Sequence, residues 1–124
     1  VTATEIRILG LSGLPEIQAG DDLAELIVAA AGRGPGVEAG DVVVVTQKVV
    51  SKAEGRVVAL AEVTPSPEAE RLARETEKDP RLAELILRES VRIVRRQGGV
   101  LITETRHGFV CANAGIDASN VGEG

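Results

Sequence analysis

An α/β domain, a mixed sheet with flanking helices, is the fold class that three observations on this 124-residue sequence predict. Short runs of β-branched and aliphatic residues recur along the chain, at residues 6–11, 42–45, 56–60, 91–96, 100–105 and 109–112, and such runs are strand signals. Between them lie segments with apolar residues three and four apart, two of them opened by a cap residue followed by proline, Ser66-Pro67 and Asp79-Pro80, which is how helices begin. The composition, 44% hydrophobic and 27% charged with mean hydropathy +0.10, supplies enough apolar surface for one folded domain or part of one.

Taken in order, residues 6–11 read as a short strand ending in Ser12-Gly13-Leu14-Pro15, where proline removes a donor and bends the path. Asp22 with Glu25 three residues on resembles a capping pair, and Leu23, Leu26, Ile27 and Ala30 fall on one face of the helix they open. Gly32-Arg33-Gly34-Pro35-Gly36 stops it. Residues 42–45, four valines without polar alternation, read as a central strand buried on both faces. The segment from Thr46 to Gly55 changes character; if it is helical, Lys48 and Lys52 share a face, and a strand resumes at residues 56–60.

Ser66 is the expected N-cap of a charged helix running to about Asp79, with Glu68 and Glu70 near its positive end. Asp79-Pro80 starts a second helix with Leu82, Leu85 and Ile86 on its apolar face. Residues 91–96 form a strand broken by Gly98-Gly99, and residues 100–105 and 109–112 form a hairpin about Arg106-His107-Gly108. The sequence ends on a polar, loop-like stretch, from which the chain is expected to be part of a longer domain.

Composition also narrows function. One aromatic residue, Phe109, and a net charge of -5 leave neither stacking platforms nor a basic groove, which disfavours nucleic acid as a partner. The lone Cys111 and lone His107 rule out an internal disulfide and a Cys/His zinc cluster. No basic segment followed by an apolar stretch opens the sequence and no run approaches a membrane span, so a cytoplasmic protein without a membrane partner is expected. The chain does not begin with Met, which leaves open a removed upstream segment.

Four segments are candidates for chemistry. The strand of residues 42–45 delivers Thr46, Gln47, Lys48, Ser51, Lys52 and Arg56 to one end; backbone N–H groups and lysine ammoniums there suit a phosphate. The alternative is a solvated segment whose lysines lie over apolar surface. Asp117-Ala118-Ser119-Asn120 offers a carboxylate, a hydroxyl and an amide, hard oxygen donors that suit magnesium or manganese; an Asx-turn is the other reading. Leu14-Pro15-Glu16-Ile17 is a rigid turn able to expose backbone groups to a base or ribose, or simply a hydrophobic staple before the helix. Glu104, Arg106 and His107 either recognise an acidic substrate or form an ordinary charged hairpin tip. Gly-x-x-x-x-Gly-Lys-Ser/Thr does not occur, so a nucleotide site here is not a P-loop.

Three blocks together, Gly13-Leu-Pro-Glu-Ile17 with Gly20-Asp-Asp-Leu23, Gly40-Asp-Val-Val-Val-Val-Thr-Gln-Lys-Val-Val-Ser-Lys-Ala-Glu-Gly-Arg56 and Leu101-Ile-Thr-Glu-Thr-Arg-His-Gly-Phe-Val-Cys-Ala-Asn-Ala-Gly-Ile-Asp-Ala-Ser-Asn-Val121, resemble the coenzyme F420-0:L-glutamate ligase (gamma-glutamyl ligase) family, including the N-terminal ligase domain of its two-domain bacterial members. The resemblance implies an F420-ligase-like fold and a GTP-dependent ligase. GTP would phosphorylate a terminal carboxylate of the deazaflavin precursor F420-0, and the amine of L-glutamate would displace the phosphate to form an amide, with further glutamates added through gamma-linkages. It also implies Mg2+ or Mn2+, with K+ for some members. By the same resemblance Leu14, Pro15, Glu16, Ile17, Gln47, Lys52 and Asn120 line the nucleotide site and Asp117 holds the metal. The family's later Asp-Thr metal-binding segment has no counterpart before Gly124, so residues 1–124 are expected to be the N-terminal portion of a family domain. The alternative is a catalytically incomplete, nucleotide-binding or self-associating folding module, with a homodimer as its assembly, since exposed strand edges favour pairing.

Overall fold

The structure, a computed structural model, describes residues 4–118. It divides into two compact units, Val1–Arg56 and Val57–Gly124.

The first unit holds two helices, α1 (Leu23–Gly32) and α2 (Gln47–Ala53). Asp22 caps α1 as its sequence predicts: its backbone is extended and its carboxylate accepts from the Glu25 N–H at 3.0 Å. Leu23, Leu26 and Ile27 are half-buried and Ala30 and Ala31 buried, while Glu25, Val28 and Ala29 face solvent, which is the expected amphipathic division. At the other end Gly36, at φ +76°, lets the chain fold back so that its N–H reaches the Ala31 carbonyl at 2.9 Å. α2 occupies the middle of the segment between Thr46 and Gly55, and both lysines of that segment, Lys48 and Lys52, are half-buried on it.

The two strands expected in this unit are not formed. Residues 6–11 and 42–45 have neither helix nor strand pairing among the described residues. Val42 and Val44 are 85% and 87% exposed, Ile6 and Ile8 83% and 92%. A valine run prefers a pleated surface with neighbours on it and has no strong backbone preference of its own. Without a neighbouring strand to take its N–H and C=O groups, the run is an unpaired segment.

The second unit orders as a 3-10 turn (Leu60–Glu62), α3 (Pro67–Thr76), α4 (Pro80–Glu89), β1 (Ser90–Gln97), β2 (Val100–Thr105), β3 (Val110–Ala112) and a final turn, Asn113–Gly115. The strand expected over residues 56–60 is likewise absent: Val57 and Val58 are half-exposed and the chain tightens into the 3-10 turn at Leu60. Both helix starts follow the sequence. Ser66 Oγ accepts from the Ala69 N–H at 3.2 Å ahead of Pro67, and Asp79 accepts from the Arg81 N–H at 2.8 Å ahead of Pro80. α3 stops at Thr76, short of Asp79, because Glu77 turns left-handed at φ 54° and its N–H closes on Ala73.

The sheet is antiparallel in the order β1-β2-β3. Gly98, at φ +55°, makes the two-residue reversal between Gln97 and Val100. Helices and sheet close on one core, in which Ala69, Leu72 and Ala73 of α3 meet Ala83 and Ile86 of α4 and Leu101 of β2, with Leu82, Leu87, Ile93, Ala114 and Ile116 packed around them. The inward face of β2 is Leu101, Thr103 and Thr105, all buried, alternating with half-buried Ile102 and Glu104. Thr103 is fully buried opposite Ile93 and Cys111, and its hydroxyl has no hydrogen-bond partner among the described residues.

Candidate functional site

In the first unit, the turn at residues 13–20 is tied to α2 by its own chemistry. The Gly20 N–H donates to the Ala53 carbonyl at 2.8 Å, and Gly55 approaches Ala19 so closely that an added Cβ would touch its methyl at 3.5 Å. The other end is held by Arg33, whose Nη2 donates to the Gly13 carbonyl at 3.3 Å. Between these ties Lys52 Nζ lies 2.5 Å from Glu16 Oε1. At the start of the same helix, Gln47 Nε2 donates to Ser51 Oγ at 2.8 Å. Leu14, Pro15, Glu16 and Ile17 are therefore brought to the helix that carries Gln47 and Lys52, although 36 positions separate Glu16 from Lys52.

The arrangement is half open. Lys52 retains 25% of its side-chain exposure while Glu16 retains 73%, so the stem of the lysine is packed and its ammonium stands at the surface. A cation on a rigid stem, flanked by a primary amide and by a proline-stiffened turn, can offset phosphate charge and offer fixed donors to oxygen. Glu16 competes for the same ammonium and is the flexible, solvated partner of the two.

In the second unit Asp117 is exposed, just after a turn of unusual backbone. Asn113, Ala114 and Gly115 all have positive φ, 51°, 54° and 73°. Two of them carry a Cβ, which disfavours that region. The turn is held by the Asn113 side chain, which accepts from the Leu101 N–H at 3.2 Å, and by Ala114 and Ile116 packing on the core. Asn120 lies outside the described residues. Glu104 accepts from Arg92 Nε at 2.6 Å across the β1–β2 pair, Arg106 and His107 are exposed at the hairpin tip, and Cys111 is half-buried on β3. Those contacts make Glu104 a cross-strand ion pair within the sheet.

The Arg33 tie and the Asn113 anchor carry no signal in the sequence: each is a side chain reaching a backbone group more than ten positions away. The Glu16–Lys52 pair is different only in that both members stood among the candidates.

For a divalent cation the described residues do not make a complete site. Among them no three His, Cys, Asp or Glu side chains converge, whereas ions of the magnesium type take several oxygen ligands. Asp117 supplies a single carboxylate, which falls short of such a set.

Residues 13–124 match the model of the family described as F420-0:Gamma-glutamyl ligase. The chain belongs to this family. Among curated members of the F420-0:gamma-glutamyl ligase family, it is 50% identical over 120 residues to the coenzyme F420:L-glutamate ligase of Methanothermobacter thermautotrophicus, covering 96% of this chain and 48% of that protein. The ligases of the same name from Methanopyrus kandleri and Methanocaldococcus jannaschii are 51% and 41% identical over 109 and 122 residues. These cover 88% and 97% of this chain and 42% and 47% of the relatives. The chain thus spans about half the length of the ligases it matches. No helix among the described residues is long and apolar enough to cross a membrane.

Proposed function

We propose that this chain contributes the nucleotide-binding part of a GTP-dependent ligase that adds L-glutamate to coenzyme F420-0 in the cytoplasm. In the reaction a carboxylate oxygen of F420-0 takes the γ-phosphoryl group of GTP, releasing GDP. The amine of L-glutamate then attacks the acyl phosphate, forming the amide and expelling phosphate, and repetition on the new γ-carboxylate extends the chain. Neither carboxylate nor amine reacts unaided in water. The energy of the step comes from GTP, and the protein's part is to hold the phosphates and align the partners.

The observation that carries this reading is the Lys52–Glu16 contact, which joins the turn of residues 14–17 to the helix bearing Gln47. Six of the seven nucleotide candidates, Leu14, Pro15, Glu16, Ile17, Gln47 and Lys52, lie on these two neighbouring segments of one unit; Asp117 belongs to the other, and Asn120 lies outside the described residues. Lys52 takes the role of phosphate cation and Gln47 that of neutral donor, while Asp117 is proposed only as one oxygen donor to Mg2+ or Mn2+. A direct test is titration of the chain with GTP, followed by calorimetry, for the wild type and for Lys52→Ala. Saturable binding that Lys52→Ala weakens supports the reading; binding of equal strength in both proteins refutes the role of Lys52, and no binding at millimolar GTP refutes the site.

One observation favours a second reading, a folding module that self-associates as a homodimer without turnover: the bare apolar run of residues 42–45. Light scattering on the chain alone distinguishes a dimer from a monomer.

A further inference from the structure

Unit one is not finished as a folded object. Its described residues contain only two buried hydrophobic side chains, Ala30 and Ala31. Against that stand Ile6, Ile8, Val42 and Val44, each more than four-fifths exposed, with Leu9 and Val43 about half exposed. Soluble proteins tolerate scattered apolar residues at the surface, but two apolar runs with bare side chains and unpaired backbone are a signature of an interface.

The backbone says which kind. Among the described residues, the main-chain N–H and C=O groups of residues 42–45 and 6–9 make no backbone hydrogen bond to one another or to any neighbour. Exposure along the valine run alternates, 85%, 49%, 87% and 38%, as it does when successive side chains point to opposite faces of an extended chain. A run apolar on both faces belongs inside a sheet, where each strand has a partner on either side.

We infer that residues 42–45 and 6–9 are sheet strands whose partners are supplied by the part of the ligase length that this chain does not span in its relatives. The curated ligases share nearly this whole chain and are about twice as long as the shared stretch, with 48%, 42% and 47% of their length matched. The unmatched half has room for several strands of ordinary length, about 5–6 residues each. A second copy of this chain satisfies the requirement less well. Pairing residues 42–45 with themselves about a two-fold axis fills one edge of one run and leaves its other edge and both edges of residues 6–9 open. The partner is accordingly an apolar, strand-forming polypeptide adding to these edges through main-chain hydrogen bonds. The inference rests on family membership and is independent of the GTP reading, since its readouts are association and amide protection.

The test is to coproduce this chain with the unmatched region of the Methanothermobacter thermautotrophicus ligase and to compare it with the chain alone, by light scattering and by hydrogen exchange. The expected result is a one-to-one complex in which the amides of residues 42–45 and 6–9 exchange at least about 100-fold more slowly than in the chain alone. Val44→Lys, at a position 87% exposed in the chain alone, is expected to weaken the complex at least about tenfold while leaving the helical circular dichroism unchanged, and Val44→Ile to preserve it. Absence of a complex, or a complex in which those amides stay fast, overturns the inference. So does a dimer of the chain alone with the same amides already protected, which would make the second copy the occupant.

Discussion

Lys52 and Glu16 meet at 2.5 Å across 36 positions of sequence, the lysine three-quarters packed and the glutamate largely in water. Removing the lysine removes the only member of the pair that can face phosphate. A charge-assisted hydrogen bond is worth about 1.5–3 kcal/mol, so Lys52→Ala should weaken GTP about 10- to 100-fold, measured by calorimetric titration.

Glu16→Gln works in the opposite direction. It keeps the size of the side chain and removes the carboxylate that competes for the Lys52 ammonium. Since that competition is worth at most about 1 kcal/mol, GTP binding should tighten up to about fivefold. A loss of affinity in the same titration would mean that the carboxylate itself engages the nucleotide.

Thr103 carries a buried hydroxyl with no partner among the described residues. Thr103→Val replaces it with a methyl of similar shape and is expected to stabilise the chain by about 1 kcal/mol or more, because an unsatisfied buried polar group costs about 1–3 kcal/mol. Ile86→Ala, at a fully buried position in the same core, should destabilise by about 2–5 kcal/mol. Urea denaturation followed by circular dichroism reads both, and a neutral Thr103→Val would indicate a hydrogen bond to water at that hydroxyl.

Acid should act on α4 first. The Arg81 side chain holds the Asp79 carboxyl down to about 2 from its ordinary 3.8, and hydrogen bonds from Ser66, with help from Arg88, hold Glu84 below its usual 4.5. Both folded values are depressed, so what these groups contribute is fully present above their unfolded values and is lost as pH falls through the folded ones. Stability should therefore be flat in their respect down to about pH 4.5 and decline from there towards about pH 2. Asp79→Asn should shallow that decline; an unchanged acid profile would remove Asp79 from the account.

Local signals were the most legible part of the sequence. Asp22, Ser66-Pro67 and Asp79-Pro80 each mark a helix start that the structure places at the next residue, because a cap is decided by groups within three positions of itself. The hairpins at Gly98 and at residues 106–108 were legible for the same reason. The strands read at residues 6–11, 42–45 and 56–60 are not formed, since a strand is a property of pairs and composition reports only one member. The candidate site divides likewise. Its residue types and order could be read, and so could the family; the tie from Arg33 to the Gly13 carbonyl and the anchor of Asn113 on Leu101 could not, being contacts between a side chain and a distant peptide group.

Phe109, two-thirds exposed beside the β2–β3 turn, is the sole aromatic side chain of a protein without tryptophan or tyrosine. Its absorbance in the near ultraviolet is consequently almost nil. A bound guanine would be the dominant chromophore of its own complex, and a single tryptophan introduced beside Pro15 would fluoresce against a dark background.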